Sequence, residues 1–303
     1  MGAHSTVRAL YGAFSGSLYQ VKRASDNTTK DIPVLASGGF ADSAQQDTFC
    51  AHTTCTISII YDQSPQGNHL PVSPPVHWLT SGGTATNATA AKITVGGHPV
   101  YGVYVVADAG NSYRNDSTKG VATGDQAEAM YMVADGKRYN NRCCFDYGNV
   151  ETSGNDDGNA TMEAINWGNI TQWSQGTGNG PWIEADLENG VYAGGPITPN
   201  TVTTNTPLVA TYVTLMLKGP SGNHFTLKGA DAQSGALAVK WDGVRPSGYS
   251  PMKKKGAIEL GTGGDGSAGG IGTFFEGAVT SGTSSDAIDD AVQANIAAAG
   301  YGR

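Results

Sequence analysis

The sequence predicts an all-β sandwich with one short C-terminal helix, and three observations lead to this prediction. Charged residues make up only 15% of the 303-residue chain, whereas glycine occurs 43 times. Segments in which apolar and polar residues alternate recur along the chain, and this alternation is the period of a half-buried strand. Gly, Asn, Pro and Asp separate these segments. Many short strands joined by glycine-rich turns are typical of sandwiches and barrels.

The alternation predicts ten strands, each bounded by turn-forming residues. They are residues 18–23, 56–61, 100–106, 128–133, 162–167, 182–188, 208–217, 237–241, 257–260 and 273–279. The stretch from Glu188 to Val191 reads Glu-Asn-Gly-Val between two apolar runs. Asn-Gly is a strong hairpin signal because both central residues of that turn take positive φ angles. We therefore predict a tight turn on Asn189 and Gly190, with Glu188 at the end of the preceding strand.

The predicted helix lies close to the C-terminus. Ser284 or Ser285 can cap it, and the three aspartates that follow favour the positive end of the helix dipole. Ile288, Val292 and Ile296 recur every four residues and form one apolar stripe. We expect this stripe to pack against the sandwich.

Composition shows no internal repeat, long linker or boundary, so we predict a single domain over residues 1–303. The 26 acidic and 18 basic residues give a net charge of −8, which argues against nucleic acid as a partner. No apolar stretch reaches the roughly 18 residues that a membrane span needs, and no signal peptide is visible. An acidic, weakly charged surface favours a neutral ligand such as a glycan.

Cysteine number and sequons favour a secreted protein. The chain has four cysteines, an even number, and disulfides form in oxidising compartments. Five N-x-S/T sequons support the same compartment, at Asn27, Asn87, Asn115, Asn159 and Asn169.

Two cysteine pairs stand out. Cys50 and Cys55 are five residues apart and can close a small structural loop. Cys143 and Cys144 are adjacent, which leaves two interpretations: a buried thiol with an accidental neighbour, or a vicinal disulfide. A bonded pair would present a flat, polarisable apolar face suited to the carbon face of a sugar, and strained geometry of this kind occurs at functional sites.

Paired carboxyl groups are the second candidate chemistry, since hydrolysis of glycosidic bonds generally uses two. Asp186 and Glu188 are two apart on one predicted strand and therefore point to the same face. Asp265 lies in Gly261-Thr-Gly-Gly-Asp-Gly266, directly after a predicted strand, where glycines permit close approach of a ligand. Asp265 can equally be a plain turn residue. The same segment spells G-x-G-x-x-G, but no helical pattern follows it, which excludes a dinucleotide site.

Tryptophans supply the flat apolar faces that sugar binding uses. Trp167, Trp173 and Trp182 lie near the carboxylates in the sequence, although a tryptophan in a sandwich is commonly part of the core. The six histidines show no metal-ligand spacing, so we expect neither metal nor cofactor.

Several segments resemble the catalytic domain of glycoside hydrolase family 54, the fungal-type α-L-arabinofuranosidases. They are AHSTVRALY at 3–11, YDQS at 61–64 with GNHL at 67–70, CCFDYGN at 143–149, GPWI at 180–183 and GTFFEG at 272–277. The resemblance covers nearly the whole chain, and CCFDYGN is its most specific part. It implies a concanavalin A-like, jelly-roll β-sandwich. It also implies retaining, exo-acting hydrolysis of terminal non-reducing α-L-arabinofuranosyl groups from arabinan- and arabinoxylan-type glycans.

The resemblance also implies roles for individual residues. The family's nucleophile falls on Glu188 in Asp-Leu-Glu-Asn, and its acid/base falls on Asp265 in Gly-Gly-Asp. Its sugar contacts and disulfides fall on Cys143, Cys144, Trp173, Asp186, Asn189 and Gly264, with the pairs Cys143–Cys144 and Cys50–Cys55. We expect a monomer that acts on arabinofuranosyl-containing plant cell-wall glycans, without nucleic-acid or membrane partners.

The sequence departs from the family in three respects. Gly190 replaces the second Asn of the family's Glu-Asn-Asn stretch, and Val191 replaces a larger apolar residue. The family's upstream disulfide segment and C-terminal arabinose-binding β-trefoil are not found in the sequence. Weaker polymer binding than in full-length relatives is therefore expected.

Three rival functions remain open at this level. A non-catalytic lectin-like module can share the sandwich, since fold alone does not settle function. A β-xylosidase or a galactofuranosidase is the second, because a pocket for a five-carbon ring can admit more than one sugar. A structural surface protein is the third.

Overall fold

The computed structural model describes residues 1–195 and 201–303. The first strands are β1 Gly2–Ser5, β2 Ser17–Arg23, β3 Thr29–Pro33, β4 Cys55–Ile60, β5 Leu70–Pro71, β6 Lys92–Val95, β7 His98–Tyr101, β8 Val103–Val105, β9 Tyr113–Asn115 and β10 Glu128–Asp135. The remaining strands are β11 Asp146–Val150, β12 Glu163–Gly168, β13 Ser174–Gln175, β14 Trp182–Asp186, β15 Val191–Tyr192, β16 Thr201–Val202, β17 Tyr212–Gly219, β18 Phe225–Asp231, β19 Ala238–Gly243, β20 Ala257–Leu260 and β21 Gly272–Ser281. The helices are α1 Ser43–Phe49 and α2 Asp286–Ala299.

Two antiparallel sheets form the sandwich, which confirms the predicted fold class. One has seven strands in the order β1-β21-β10-β17-β18-β19, with β8 also paired to β21. The other has six strands in the order β15-β14-β12-β11-β20-β9. The ring of Tyr147 on β11 packs on that of Phe274 on β21, with centroids 5.0 Å apart, so the apolar core lies between the sheets.

A smaller four-stranded sheet, β3-β2-β4-β5, lies beside the sandwich. A disulfide between Cys50 and Cys55 joins the end of α1 to the start of β4, in agreement with the predicted pair. In the described parts of the chain no helix is long and apolar enough to cross a membrane.

All ten predicted segments overlap a strand, but some bounds were wrong. The predicted strand 100–106 is interrupted at Gly102, where a β-carbon would lie 2.6 Å from the ring of Phe275. The predicted strand 182–188 ends at Asp186. The alternation did not indicate β11, because all five of its residues are buried and both faces of the strand are covered.

The prediction of a single helix was incomplete. The C-terminal helix α2 is present and begins after Ser285, and Ile296 is fully buried. Ile288, however, is 55% exposed, so the apolar stripe covers less of the helix than expected. The second helix, α1, is only seven residues long, and its buried residues, Ser43 and Gln46, are polar. Such a helix lacks the apolar periodicity on which the prediction depends.

Candidate active site

A cavity of about 210 Å³ gathers the acidic residues that the sequence singled out. We call it the inner pocket. Ile183 and Ala185 of β14 belong to the main core, so alternation along the strand places Asp186 on the opposite face of the six-stranded sheet. The inner pocket therefore lies on the outer face of this sheet. Its lining includes Cys143, Trp173, Asp186, Glu188, Asn189, Gly264 and Asp265.

The hairpin between β14 and β15 positions Glu188. Its central residues are Glu188 and Asn189, with φ angles of 64° and 53°, and the N–H of Leu187 donates to the carbonyl of Gly190 over 3.1 Å. The predicted turn on Asn189 and Gly190 was thus wrong by one residue. A β-carbon on Gly190 would lie 2.3 Å from the hydroxyl of Tyr192, so this position has no room for a side chain.

Glu188 is 5% exposed and lies against a second buried carboxyl group, Glu151. The pKa of Glu188 is raised to about 11, chiefly because burial deprives the ionised carboxylate of its hydration. A hydrogen bond with Glu151 and the negative charge of Glu151 contribute to the same shift. Burial also raises the pKa of Glu151, whose Oε1 accepts a 2.6 Å hydrogen bond from the hydroxyl of Thr161. At neutral pH this pair therefore retains a proton.

Asp186 links the turn to the adjacent cysteines. Its Oδ1 accepts a 3.1 Å hydrogen bond from the N–H of Glu188, and its Oδ2 lies 3.1 Å from Sγ of Cys144. Burial raises the pKa of Asp186 to about 7. The neighbouring carboxyl of Asp146, whose pKa burial also raises, is hydrogen-bonded to Asp186. This arrangement fixes the Asp186 carboxyl beside the pocket.

The sulfur atoms of Cys143 and Cys144 are bonded to each other, and the peptide between the two residues is cis. Cys143 lines the inner pocket, whereas Cys144 is fully buried behind it. Cys144 packs in a small apolar cluster with Val191, against which Trp173 also packs. The disulfide and Trp173 form apolar walls, while Trp167 belongs to the main core and Trp182 is buried outside it.

Asp265 is held by hydrogen bonds to both of its carboxylate oxygens. The N–H of Ser267 donates to Oδ1 over 2.9 Å, and the indole N–H of Trp78 donates to Oδ2 over 2.8 Å. The turn itself is closed by a 2.8 Å hydrogen bond from the N–H of Gly266 to the carbonyl of Gly263. Asp265 is half-buried, and its carboxylate faces the inner pocket.

The backbone of this loop packs closely against Glu151 at the floor of the pocket. A β-carbon on Gly264 would lie 2.2 Å from Oε2 of Glu151, so glycine is required there. The buried guanidinium of Arg114 donates to the carbonyl oxygens of Gly264 and Glu151 and to the carboxylate of Glu259. Arg114 therefore holds the Asp265 loop, the residue beside Glu188 and strand β20 together.

Residues 1–302 match the family described as alpha-L-arabinofuranosidase B, catalytic. The chain belongs to this family. The α-L-arabinofuranosidase B of Aspergillus oryzae is 51% identical over 308 residues, which cover 99% of this chain and 60% of that protein. The arabinofuranosidase/B-xylosidase of Trichoderma koningii is 50% identical over 307 residues, with 99% and 60% covered. The family predicted from the motifs is thereby confirmed.

The fold is also that of a solved arabinofuranosidase. The crystal structure of an arabinofuranosidase complexed with arabinofuranosyl-α-1,2-xylobiose superposes with a TM-score of 0.94 at 48% identity, covering 99% of this chain and 62% of that one. The chain spans about 60% of the length of the curated relatives that it matches.

Within this arabinofuranosidase B fold, several residues of the inner pocket were not predicted from the sequence. Asp156, Met162 and Ser267 line it, and Glu151 lies at its floor. Ser267 directly follows the singled-out glycine-rich segment, so that segment could have been extended to include it. Glu151 offered no signal, because a single acidic residue after an unpredicted strand resembles any other surface carboxylate.

The described residues hold one grouping with ligand atoms close enough for a metal ion: Cys143, Cys144 and Asp186. Both sulfurs are bonded to each other, so neither is the thiolate that metal binding requires. This grouping is a wall of the pocket rather than a metal centre.

Proposed function

We propose that the chain hydrolyses terminal α-L-arabinofuranosyl groups of arabinan- and arabinoxylan-type glycans with retention of configuration. The observation that carries the proposal is the convergence of Glu188 and Asp265 on one cavity with apolar walls of Trp173 and Cys143. Two carboxyl groups flanking one sugar-sized space are what glycoside hydrolysis requires. The family membership of the chain supports the same chemistry.

Accessibility supports the assignment of the two roles. A nucleophile attacks the anomeric carbon from within the pocket, whereas the acid must reach the leaving oxygen at the side from which the remaining glycan departs. Glu188 is the more deeply buried of the two carboxyl groups. Asp265 is half-buried, beside the exposed Trp78. Glu188 is therefore the nucleophile, and Asp265 is the acid/base.

The first step forms a covalent arabinosyl-enzyme. The carboxylate of Glu188 bonds to the anomeric carbon, the glycosidic bond breaks, and the proton of Asp265 moves to the leaving oxygen. The raised pKa of Glu188 places the proton of the buried pair on Glu188 in the free protein. Because Glu188 must be ionised for this attack, that proton moves to Glu151 when the sugar is bound. Glu151 thus acts as the hydrogen-bond donor that permits Glu188 to carry its charge.

The second step returns the enzyme to its starting state. Asp265, now ionised, removes a proton from water, the water oxygen bonds to the anomeric carbon, and Glu188 is released. Asp186 and Asn189 bind ring hydroxyls. The disulfide at Cys143 and the ring of Trp173 exclude water from the carbon faces of the furanose.

Product stereochemistry and trapping test the proposal. The protein is mixed with 4-nitrophenyl α-L-arabinofuranoside, and the anomer first released is identified by proton NMR. Retention supports the mechanism, and inversion refutes it. A slow arabinofuranosyl substrate should leave a pentosyl adduct on Glu188, located by mass spectrometry of the digested protein. An adduct on a different residue contradicts the assignment of the nucleophile.

A β-xylosidase activity of the same pocket is the second candidate. The name of the Trichoderma koningii relative joins the two activities, and this observation favours it over the other rivals. Parallel assays on the nitrophenyl arabinofuranoside and the nitrophenyl xyloside separate the two. A lectin-like module is supported less well, because sugar binding alone does not need the buried Glu151–Glu188 pair.

A secreted, monomeric glycoprotein with one domain is the form that we propose. Two features support this form: the described chain contains no free cysteine, and one apolar cluster extends from Val7 to Tyr301. Of the five sequons, Asn27 and Asn87 have exposed asparagines and are the sites where we expect glycans. Intact mass before and after glycosidase treatment of protein from a secretory host tests this expectation.

A further inference from the structure

We propose that a second cavity, on the solvent side of Asp265, binds the sugar that leaves, and that Trp78 stacks on a pyranose ring there. We call this cavity the outer cavity. The inference rests on the proposed function, because it assumes that Asp265 protonates a leaving oxygen. It adds the residue that recognises the leaving sugar, Trp78, and the cavity in which that sugar lies.

The outer cavity adjoins the inner pocket. Its volume is about 390 Å³, and it shares Cys143 and Ser267 with the inner pocket. Gly266 and Ser267, which directly follow Asp265, belong to its lining. Asp265 therefore lies where the two spaces meet, so a glycosidic oxygen within reach of its carboxyl group has the arabinose on one side and the next sugar on the other.

Trp78 is the exposed apolar surface of the outer cavity. It is 65% exposed, although tryptophan is among the residues that gain most from burial. Three contacts fix its orientation. Its backbone N–H donates to the carbonyl of Asp265 over 2.9 Å, its indole N–H donates to Oδ2 of the same residue over 2.8 Å, and the ring of His77 packs edge-on with centroids 4.5 Å apart. A rigid, exposed indole offers a stacking surface at little entropic cost.

The polar lining of the outer cavity suits a neutral, hydroxyl-rich ligand. Arg142 and Asp108 line it and form a paired ion bridge of 2.6 and 2.8 Å. Both side chains are more than half exposed, at 52% and 66%, so their remaining donor and acceptor positions face solvent. Because the two charges balance, the pair favours neither an anion nor a cation. An apolar ring face beside hydrogen-bonding groups is the combination that a pyranose recognises.

The reaction uses this arrangement in a defined order. The bond from the anomeric carbon to the leaving oxygen breaks as the bond to Glu188 forms, and Asp265 supplies the proton to that oxygen. The released sugar departs past Trp78, and water then enters along the same side to be deprotonated by Asp265. Weak stacking on Trp78 is consistent with this sequence, because the leaving sugar must vacate the cavity before water attacks.

The test compares two glycosides whose leaving groups both need protonation. Arabinofuranosyl-α-1,2-xylobiose places a pyranose on Trp78, whereas methyl α-L-arabinofuranoside has no ring to stack. We expect Trp78→Ala to lower kcat/KM roughly tenfold more for the oligosaccharide than for the methyl glycoside. Trp78→Phe keeps an aromatic face and loses the indole N–H, so we expect it to retain most of the wild-type preference.

Tyr11→Ala is the matched control, since Tyr11 is another exposed aromatic residue and lines neither cavity. It should leave both kcat/KM values unchanged. Equal losses on the two substrates for Trp78→Ala would mean that Trp78 acts only by holding Asp265, and this result overturns the proposal. The proposal is also overturned if Trp78→Phe and Trp78→Ala lose the preference for the oligosaccharide over the methyl glycoside to the same extent. The aromatic face would then not contribute to binding.

A binding measurement separates failure of this inference from failure of the proposed function. If the wild-type protein hydrolyses neither glycoside, the proposed function fails. Calorimetry with xylobiose alone still examines the outer cavity, because it needs no turnover. If xylobiose binds to the wild type and its affinity is about tenfold lower in Trp78→Ala, the outer cavity binds a pyranose through Trp78. If xylobiose does not bind, or binds equally to both proteins, the inference is refuted.

Discussion

Glu151 and Glu188 are hydrogen-bonded to each other on the floor of the inner pocket, and both side chains are shielded from solvent. Two carboxyl groups can share a hydrogen bond only if one of them is protonated. The pair therefore holds one proton, and its location decides whether Glu188 can attack. This relationship makes the pH dependence of the reaction sensitive to a residue that does not line the pocket.

Glu151→Gln should move the rising limb of the kcat/KM profile to lower pH. The negative charge of Glu151 raises the pKa of Glu188, so a neutral amide lowers that pKa, while its N–H₂ still donates to Glu188. The maximal rate should stay within about tenfold of the wild type, because the hydrogen bond remains. The measurement is kcat/KM against pH with the nitrophenyl arabinofuranoside.

Glu184→Gln is the control for this profile. Glu184 is a fully buried carboxyl group whose pKa burial raises, but it does not contribute to the shift at Glu188. Its profile should match that of the wild type. An unchanged limb in Glu151→Gln would show that the two carboxyl groups are not coupled.

Glu188→Gln should reduce kcat roughly 10³-fold or more on every arabinofuranoside, because the attacking oxygen is lost. The fold should remain intact, since the amide has the shape of the carboxyl group, and near-ultraviolet circular dichroism checks this. Near-normal turnover by the variant would exclude Glu188 as the nucleophile.

Asp265→Asn should discriminate between leaving groups. A methoxide leaving group needs a proton, so kcat/KM for the methyl glycoside should fall by roughly 10²–10⁴-fold. Nitrophenolate is a much weaker base and leaves with little assistance, so the loss on the first step should be smaller. Pre-steady-state release of nitrophenol measures that step, and equal losses with the two leaving groups would argue against Asp265 as the acid.

The protein should be more stable at pH 5 than at pH 8. The pKa of Asp186 rises to about 7 in the folded protein, above its ordinary value, so folding favours the protonated form. This stabilisation is complete at low pH and is lost as pH rises from about 4 through 7. Asp186→Asn should flatten the dependence, and urea unfolding midpoints at the two pH values measure it. An equal decline in variant and wild type would refute this origin.

Gly190→Ala should destabilise the protein by about 1–3 kcal/mol, because its β-carbon would lie 2.3 Å from the Tyr192 hydroxyl. That hydroxyl is itself hydrogen-bonded to Tyr249 over 2.9 Å, so it cannot move freely. Removing the ring in Gly190→Ala/Tyr192→Val should reduce the additional cost of the alanine. Gly12→Ala is the control, since a β-carbon there has no atom within 4 Å. Urea denaturation of the wild type, Gly190→Ala, Tyr192→Val, the double variant and Gly12→Ala gives the comparison.

Much of the site could be predicted because its residues follow simple rules. Asp186 is the last residue of one strand and Glu188 lies in the turn that follows it, while Asp265 lies in a glycine-rich loop directly after another strand. The strand and turn signals of the sequence therefore placed the candidate carboxyl groups at or just beyond strand ends, although the predicted strand ran two residues too far. The motif resemblance then selected Glu188 and Asp265 from the 26 acidic residues of the chain.

The remainder depends on contacts between distant parts of the chain. Trp78 is 187 residues from Asp265, and no local pattern marks a tryptophan that stays exposed. The turn register was missed because Asn-Gly is only a statistical signal, and the positive φ angles in fact fall on Glu188 and Asn189. Buried strands such as β11 carry no alternation, so Glu151 beyond its end had no predicted position.

The buried Arg114 has a consequence for how this protein can change. One guanidinium ties the loop of Asp265 and the backbone beside Glu188 to the same sheet, so the reaction centre is preorganised before any sugar arrives. Arg142 and Asp108 form none of these contacts, and Trp78 is joined to the reaction centre only through Asp265. Substitutions in the outer cavity can therefore change the selectivity for the leaving glycan, while Glu188 and Asp265 keep their positions.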